Sequence, residues 1–157
     1  MPPDSAYLDE IVDIFVDCAL FDSFSPNELR RTARYFNMSE LAEGETVFTE
    51  GDAGTFMAII HTGEVAVLKR DSTDNEVSVA TLRKGKVFGE MAVLDGERRS
   101  ATCLASSQCL LATLSRDSLD RMLDDYPRIA AQVIRAIAVS LSRRLRMADF
   151  KLADHQL

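Results

Sequence analysis

Apolar residues open the chain at helical spacing. From Tyr7 onward they fall at Leu8, Ile11, Val12, Phe15 and Ala19, the i, i+3, i+4, i+7 pattern of an amphipathic helix. Residues 1–4 read as a loose end, and Phe21 to Phe24 as a break. Ser25-Pro26-Asn27-Glu28 is a capping box with proline at the first helical position, so a second helix follows. It carries Leu29, Ala33 and Phe36 on one face. The texture changes at Met38, where short apolar runs begin to alternate with turn residues about every ten positions. That rhythm predicts a β sandwich or barrel. Strands are expected near 38–42, 46–49, 55–61, 64–70, 76–82, 86–88, 99–105 and 109–114, with a polar hairpin tip from Asp71 to Asn75. Six of the seven glycines (44, 51, 63, 85, 89 and 96) fall where this pattern turns.

After the strands the helical period returns. Ser115 can cap a short helix through Leu123, with Asp117 in its first turn. Tyr126-Pro127 is a break, and Pro127 suits the start of a longer helix that meets no Gly or Pro up to Leu157. Ile129 and Val133 would lay its first turns on the sheets. Ile134, Ala138, Leu141, Leu145, Ala148 and Leu152 follow spacings of 4, 3, 4, 3 and 4, a heptad seam. The expectation is a single mainly β domain over 1–157: helices in 1–37, a β roll in 38–114 and helices in 115–157.

Composition narrows the function. The chain has 157 residues, 46% hydrophobic and 27% charged, which fits one soluble domain with a real core. Its net charge is −7, unfavourable for non-specific nucleic-acid binding. No stretch approaches the ~20 apolar residues of a membrane span, and no signal peptide opens the chain. Cys18, Cys103 and Cys109 have neither metal spacing nor disulfide density, so they read as core residues in a reducing, cytoplasmic protein. With only His61 and His155, a metal triad of the cupin kind is not expected, and no Ser-His or Cys-His pair suggests catalysis. His61, before Thr62-Gly63, reads as a turn-flanking strand residue. An enzyme and a bound metal are both unexpected.

Phe88 to Thr102 carries the candidate chemistry: F-G-E-M-A-V-L-D-G-E-R-R-S-A-T. A strand ending in Val87 and Phe88 meets Gly89, where the backbone can turn and expose its N–H. Glu90 to Leu94 allows a short helix, whose N-terminus favours an anion, and Asp95-Gly96 reads as its exit. Arg99 would open the next strand with a guanidinium able to pair two phosphate oxygens. A carboxylate at Glu90 repels phosphate but can accept from sugar hydroxyls. Taken singly, the glycines are ordinary turns and Glu90–Arg99 a surface ion pair; taken together, they describe a sugar-phosphate site.

The string also resembles the phosphate-binding cassette of the cyclic-nucleotide-binding domain family, through F-G-E at 88–90, Ala92, Gly96 and R-S-A-T at 99–102. The resemblance extends from about Leu20 to Leu145. It implies a double-stranded β-helix, or jelly roll, and a ligand that is cyclic AMP or cyclic GMP. By the same resemblance Glu90 would hold the ribose 2′-hydroxyl and Arg99 the cyclic phosphate. Backbone N–H groups of Gly89, Met91 and Ala92 would reach phosphate or ribose, and Ser100 would add a hydroxyl at the phosphate or at a guanine amino group. Arg98 departs from the family pattern and is expected to face solvent.

The last helix would act as a lid through Ser140, Arg143 or Arg144, and dimerise through its seam as in the catabolite activator branch. That branch continues into a DNA-binding helix-turn-helix. Only twelve residues follow Leu145, so no DNA binding is expected of this chain alone. The output would pass to a protein effector. A disused site, or one turned to cyclic di-GMP, is the alternative.

Overall fold

The computed structural model describes residues 4–156; Met1 to Pro3 and Leu157 lie outside them, as do the side chains of residues 153–156, His155 among them. Of the expected loose end, Asp4 is instead the N-cap of α1 (Ser5–Val16), its carboxylate accepting from the Ala6 N–H. Ala19 is not part of that helix. It begins a 3-10 turn, Ala19–Phe21, that ends where the expected break begins. Phe21 and Phe24 are buried there, and Phe21 stacks on Phe15 with ring centroids 4.2 Å apart. α2 (Pro26–Ala33) starts at the Ser25 capping box, both of its reciprocal bonds being present. Phe36 is buried just beyond its end.

Eight strands follow: β1 (Asn37–Leu41), β2 (Thr46–Phe48), β3 (Phe56–Thr62), β4 (Val65–Arg70), β5 (Glu76–Leu82), β6 (Val87–Phe88), β7 (Thr102–Ala105) and β8 (Cys109–Ser115). They form two antiparallel four-stranded sheets, ordered β1-β8-β3-β6 and β2-β7-β4-β5, a jelly roll. α3 (Glu90–Asp95) interrupts the roll between β6 and β7. α4 (Arg116–Asp125) and α5 (Pro127–Gln156) close the chain. Ser115 Oγ caps α4 by accepting from Ser118 N–H at 3.0 Å. The six expected turn glycines all have positive φ.

One predicted boundary moves. The strand expected over 99–105 begins only at Thr102. Arg99 N–H donates to Asp52 O at 2.8 Å, and Arg98 forms an isolated bridge with Ala53. The backbone ahead of Thr102 is thus tied to the 50–54 loop, and Arg99 does not open the strand.

β3 explains the layering. Its side chains alternate with period two, so Met57 and Ile59 enter one core while Ala58 and Ile60 enter another. The first core lies under the helices, with Ile11, Phe15, Phe36, Met122, Val133 and Ile137. The second fills the space between the sheets, with Phe48, Val65, Phe88 and Leu111. Ile129 and Val133 are buried, so α5 begins against the helical core. The heptad seam is then divided. Ile134 and Leu141 pack against that core, whereas Leu145 and Leu152 are 64% and 58% exposed. Among the described residues no helix is long and apolar enough to cross a membrane.

Candidate functional site

The site grows from the β6–α3 junction. Gly89 caps α3 in the left-handed region, at φ 75°. A Cβ there would lie 2.6 Å from Arg99 Nη1 and 3.2 Å from Phe56 O, so conformation and space both require glycine. Gly96 ends the helix, also left-handed, with its N–H donating to Ala92 O at 2.8 Å. Gly54, the glycine outside the turn pattern, holds α3 from behind. A Cβ on it would meet the Ala92 Cβ at 2.1 Å, so α3 packs directly on the loop backbone.

Arg99 is only 5% exposed. Its guanidinium lies 3.8 Å over the Phe48 ring and 4.8 Å over that of Phe56. It donates to Gly89 O at 3.1 Å and to Phe56 O. Its buried Nε has no partner, and no described carboxylate forms an ion pair with it. Burial lowers its pKa, opposed by the charges of Cys103 and Asp52. Beneath it, burial pushes the Cys103 thiol up to about 11 despite the Arg99 charge.

Glu90 is 4% exposed and does not pair with Arg99, contrary to the surface-pair reading. It forms an ion pair with Arg144 of α5. Glu90 Oε1, the oxygen that meets Arg144, is buried. Desolvation lowers the Arg144 pKa.

Gly89, Glu90, Met91, Ala92, Arg99, Ser100 and Arg144 share one cavity of about 340 Å³. Ser100 and Met91 are exposed at its edge; Ala92 is buried. Ser140 and Arg143 do not line it, and open instead on the neighbouring groove. Arg98 is exposed as expected, but its guanidinium also donates to Gly51 O at 2.8 Å. Among the described residues no cluster of three or more His, Cys, Asp or Glu is arranged to hold a metal ion.

Sequence reasoning missed the aromatic bed, Phe48 and Phe56, and the apolar wall of Val67, Ala80, Leu82 and Val87. It also missed Gly54. Phe48 and Phe56 flank the E-G-D turn at 50–52, a weak signal that both lie near one rim.

The chemistry is that of a dry cationic point facing a carboxylate across an apolar-walled hollow. It suits a compact ligand with one anionic group, hydroxyls and a flat apolar part.

A family model described as "Cyclic nucleotide-binding domain" matches residues 38–126. The chain is 31% identical over 133 residues to the Cyclic AMP receptor protein of Thermus thermophilus, covering 85% of this chain and 60% of that protein. It is 31% identical over 118 residues to a cAMP-dependent protein kinase regulatory subunit of Blastocladiella emersonii, covering 75% of this chain and 28% of that one. A cyclic nucleotide-binding domain from Methylobacillus flagellatus superposes with a TM-score of 0.82 at 31% identity, over 100% of this chain and 88% of that one. The chain therefore spans about six tenths of the first of these relatives and far less of the second.

Proposed function

The chain belongs to the cyclic nucleotide-binding domain family, and on that premise we propose that it is a sensor of one cyclic mononucleotide, preferentially cyclic AMP. The observation that carries this reading is Arg99. It is a buried guanidinium, lying over the rings of two phenylalanines, with an unpartnered Nε and no ion-paired carboxylate among the described residues. Buried charges are ordinarily paired, so the site calls for an anion. Among the lining residues the other arginines already have acceptors, Arg98 the Gly51 carbonyl and Arg144 the Glu90 carboxylate, which favours one phosphate over the two of a cyclic dinucleotide.

The ribose hydroxyls would then donate to Glu90, Ser100 and the backbone N–H groups of Gly89, Met91 and Ala92 would approach the phosphate, and the base would lie on Val67, Ala80, Leu82 and Val87. Relatives named for cyclic AMP support that choice of base by analogy. Ser100 leaves cyclic GMP as a weaker ligand.

Signalling would pass through α5. Arg144 is the lid candidate whose side chain meets a cavity residue, so ligand at Glu90 and the position of α5 are linked. The exposed Leu145, Ala148 and Leu152 support a homodimer, and a protein effector would read its geometry. Three buried free thiols fit a reducing cytoplasm.

Titration calorimetry with cyclic AMP, cyclic GMP and cyclic di-GMP tests the reading. Saturable binding of a mononucleotide, absent in Arg99→Ala, is expected. Binding of none of the three, or of cyclic di-GMP alone, overturns it.

A further inference from the structure

A second concavity, of about 1220 Å³, adjoins the first along α5. Its floor is apolar, with the half-buried Leu20, Leu82, Val87 and Ala136. Its rim is basic: Lys86, Arg128, Arg135 and Arg143 line it, and none of them forms an ion pair with a described residue. The carboxylates on the same wall are Asp22 and Glu28, and Glu28 is tied to the Ser25 cap. This local excess of positive charge stands on a chain of net charge −7.

From Arg128 to Arg143 the rim runs fifteen residues along one helix, about 22 Å at 1.5 Å per residue. Stepping about 100° per residue, the stripe of Arg128, Gln132, Arg135, Val139 and Arg143 is centred roughly 140° from the Ile134–Leu152 seam. A dimer formed through the seam leaves the groove open.

We propose that this groove docks an acidic amphipathic segment of a partner protein, apolar side chains on the floor and carboxylates against the arginines. Its length and form fit a helix laid in a groove. A membrane surface is flat and would rest on the rim without reaching the floor. A nucleic acid would meet the overall negative charge of the chain. Leu82, Val87 and Arg144 line both this groove and the nucleotide cavity, so docking and nucleotide binding share a wall and bias one another. That coupling rests on the nucleotide reading above; the docking itself does not.

The test uses the full chain and a fluorescein-labelled synthetic fifteen-residue helix, leucine on one face and glutamate on the other. A lysine-for-glutamate twin and vesicles rich in phosphatidylserine serve as comparisons. Anisotropy should show the acidic peptide binding and the basic twin failing. Affinity should fall as salt rises, and by about tenfold or more in Arg128→Glu/Arg135→Glu, since rim charges govern such encounters. Neither arginine lines the nucleotide cavity, so retained nucleotide binding reports that the variant is folded. Nucleotide calorimetry on the unaltered chain separates failure of docking from failure of the nucleotide reading. The proposal is overturned by no binding of the acidic peptide, by equal binding of both peptides, or by binding unchanged in the double variant. It is also overturned if the double variant loses vesicle binding tighter than the peptide's, or loses self-association through this face.

Discussion

Glu90 on α3 and Arg144 on α5 form an ion pair that joins the cassette to the last helix, 54 residues apart in sequence. The Glu90 side chain is 5% exposed and that of Arg144 57%, so one partner is buried and the other reaches in from solvent. Among the ion pairs of the described residues it is the one that joins the cavity to α5.

That link predicts coupling. Arg144→Ala should weaken nucleotide binding about fivefold and cost more stability than the ~1 kcal/mol of a surface pair, because it leaves the buried Glu90 carboxylate unpaired. Glu90→Gln should also weaken binding, and should matter little for a 2′-deoxy analogue. In a double-mutant cycle by calorimetry the two should be non-additive by about 0.5–3 kcal/mol. Additive losses would mean that the ion pair does not transmit.

Arg99→Ala should be the costliest change at the site. Hydrogen bonds to charged groups contribute about 1.5–3 kcal/mol, so affinity should drop about ten- to several-hundred-fold. Arg99→Lys should recover little, because an ammonium cannot lie flat over Phe48 and Phe56 and fork to a phosphate together. An affinity within twofold of the unaltered chain would remove Arg99 from the site.

Gly89→Ala combines backbone strain with a steric clash. A left-handed alanine costs about 1–2 kcal/mol, which should lower Tm by roughly 2–8 °C. The new methyl also presses on Arg99 Nη1. Thermal melting and calorimetry should show a modest stability loss with a larger loss of affinity. The reverse order would show that Arg99 tolerates displacement.

Lid and dimer can be separated by length. Cutting after Gln132 would remove Val133 and Ile137, both fully buried, and damage the core itself. A chain ending at Arg144 keeps the ion pair but loses Leu145 to Leu152. It should be monomeric by light scattering and bind nucleotide within about twofold of the full chain, the noise of such measurements. A chain ending at Leu141 should bind more weakly. Equal affinities for the two would dismiss the lid.

Alkaline pH should destabilise the fold. Burial pushes the Cys18 and Cys103 thiols from an ordinary 9.0 to about 11. A folded-state pKa above the unfolded one means that stability is whole below pH 9 and is lost as pH rises through about 11. Denaturant unfolding across that window should show the decline, and Cys18→Ala should make it shallower. A flat profile would place neither thiol in the dry core.

By itself the sequence determined what local rules govern. The capping box at Ser25 is a contact over three residues, and turn glycines answer to their own φ. The shift from helical to strand period at Met38 follows from which face of each element is wet. The 88–102 string too is contiguous, so the gathering of Gly89, Glu90 and Arg99 around one cavity could be read from their order.

Only the tertiary structure decided what contacts across the chain control. The 50–54 loop claimed Arg99 from its expected strand, and Phe48 and Phe56 made the bed beneath it. Gly54 was needed because Ala92 lands on it. The seam of α5 looks continuous in one dimension, yet the helix runs off the end of its core, so Ile134 and Leu141 pack inward while Leu145 and Leu152 do not. Among Ser140, Arg143 and Arg144, helical rotation alone turns Arg144 toward Glu90 and leaves the other two on the groove. A pattern records which residues share a face, but what that face meets depends on where distant chain is packed.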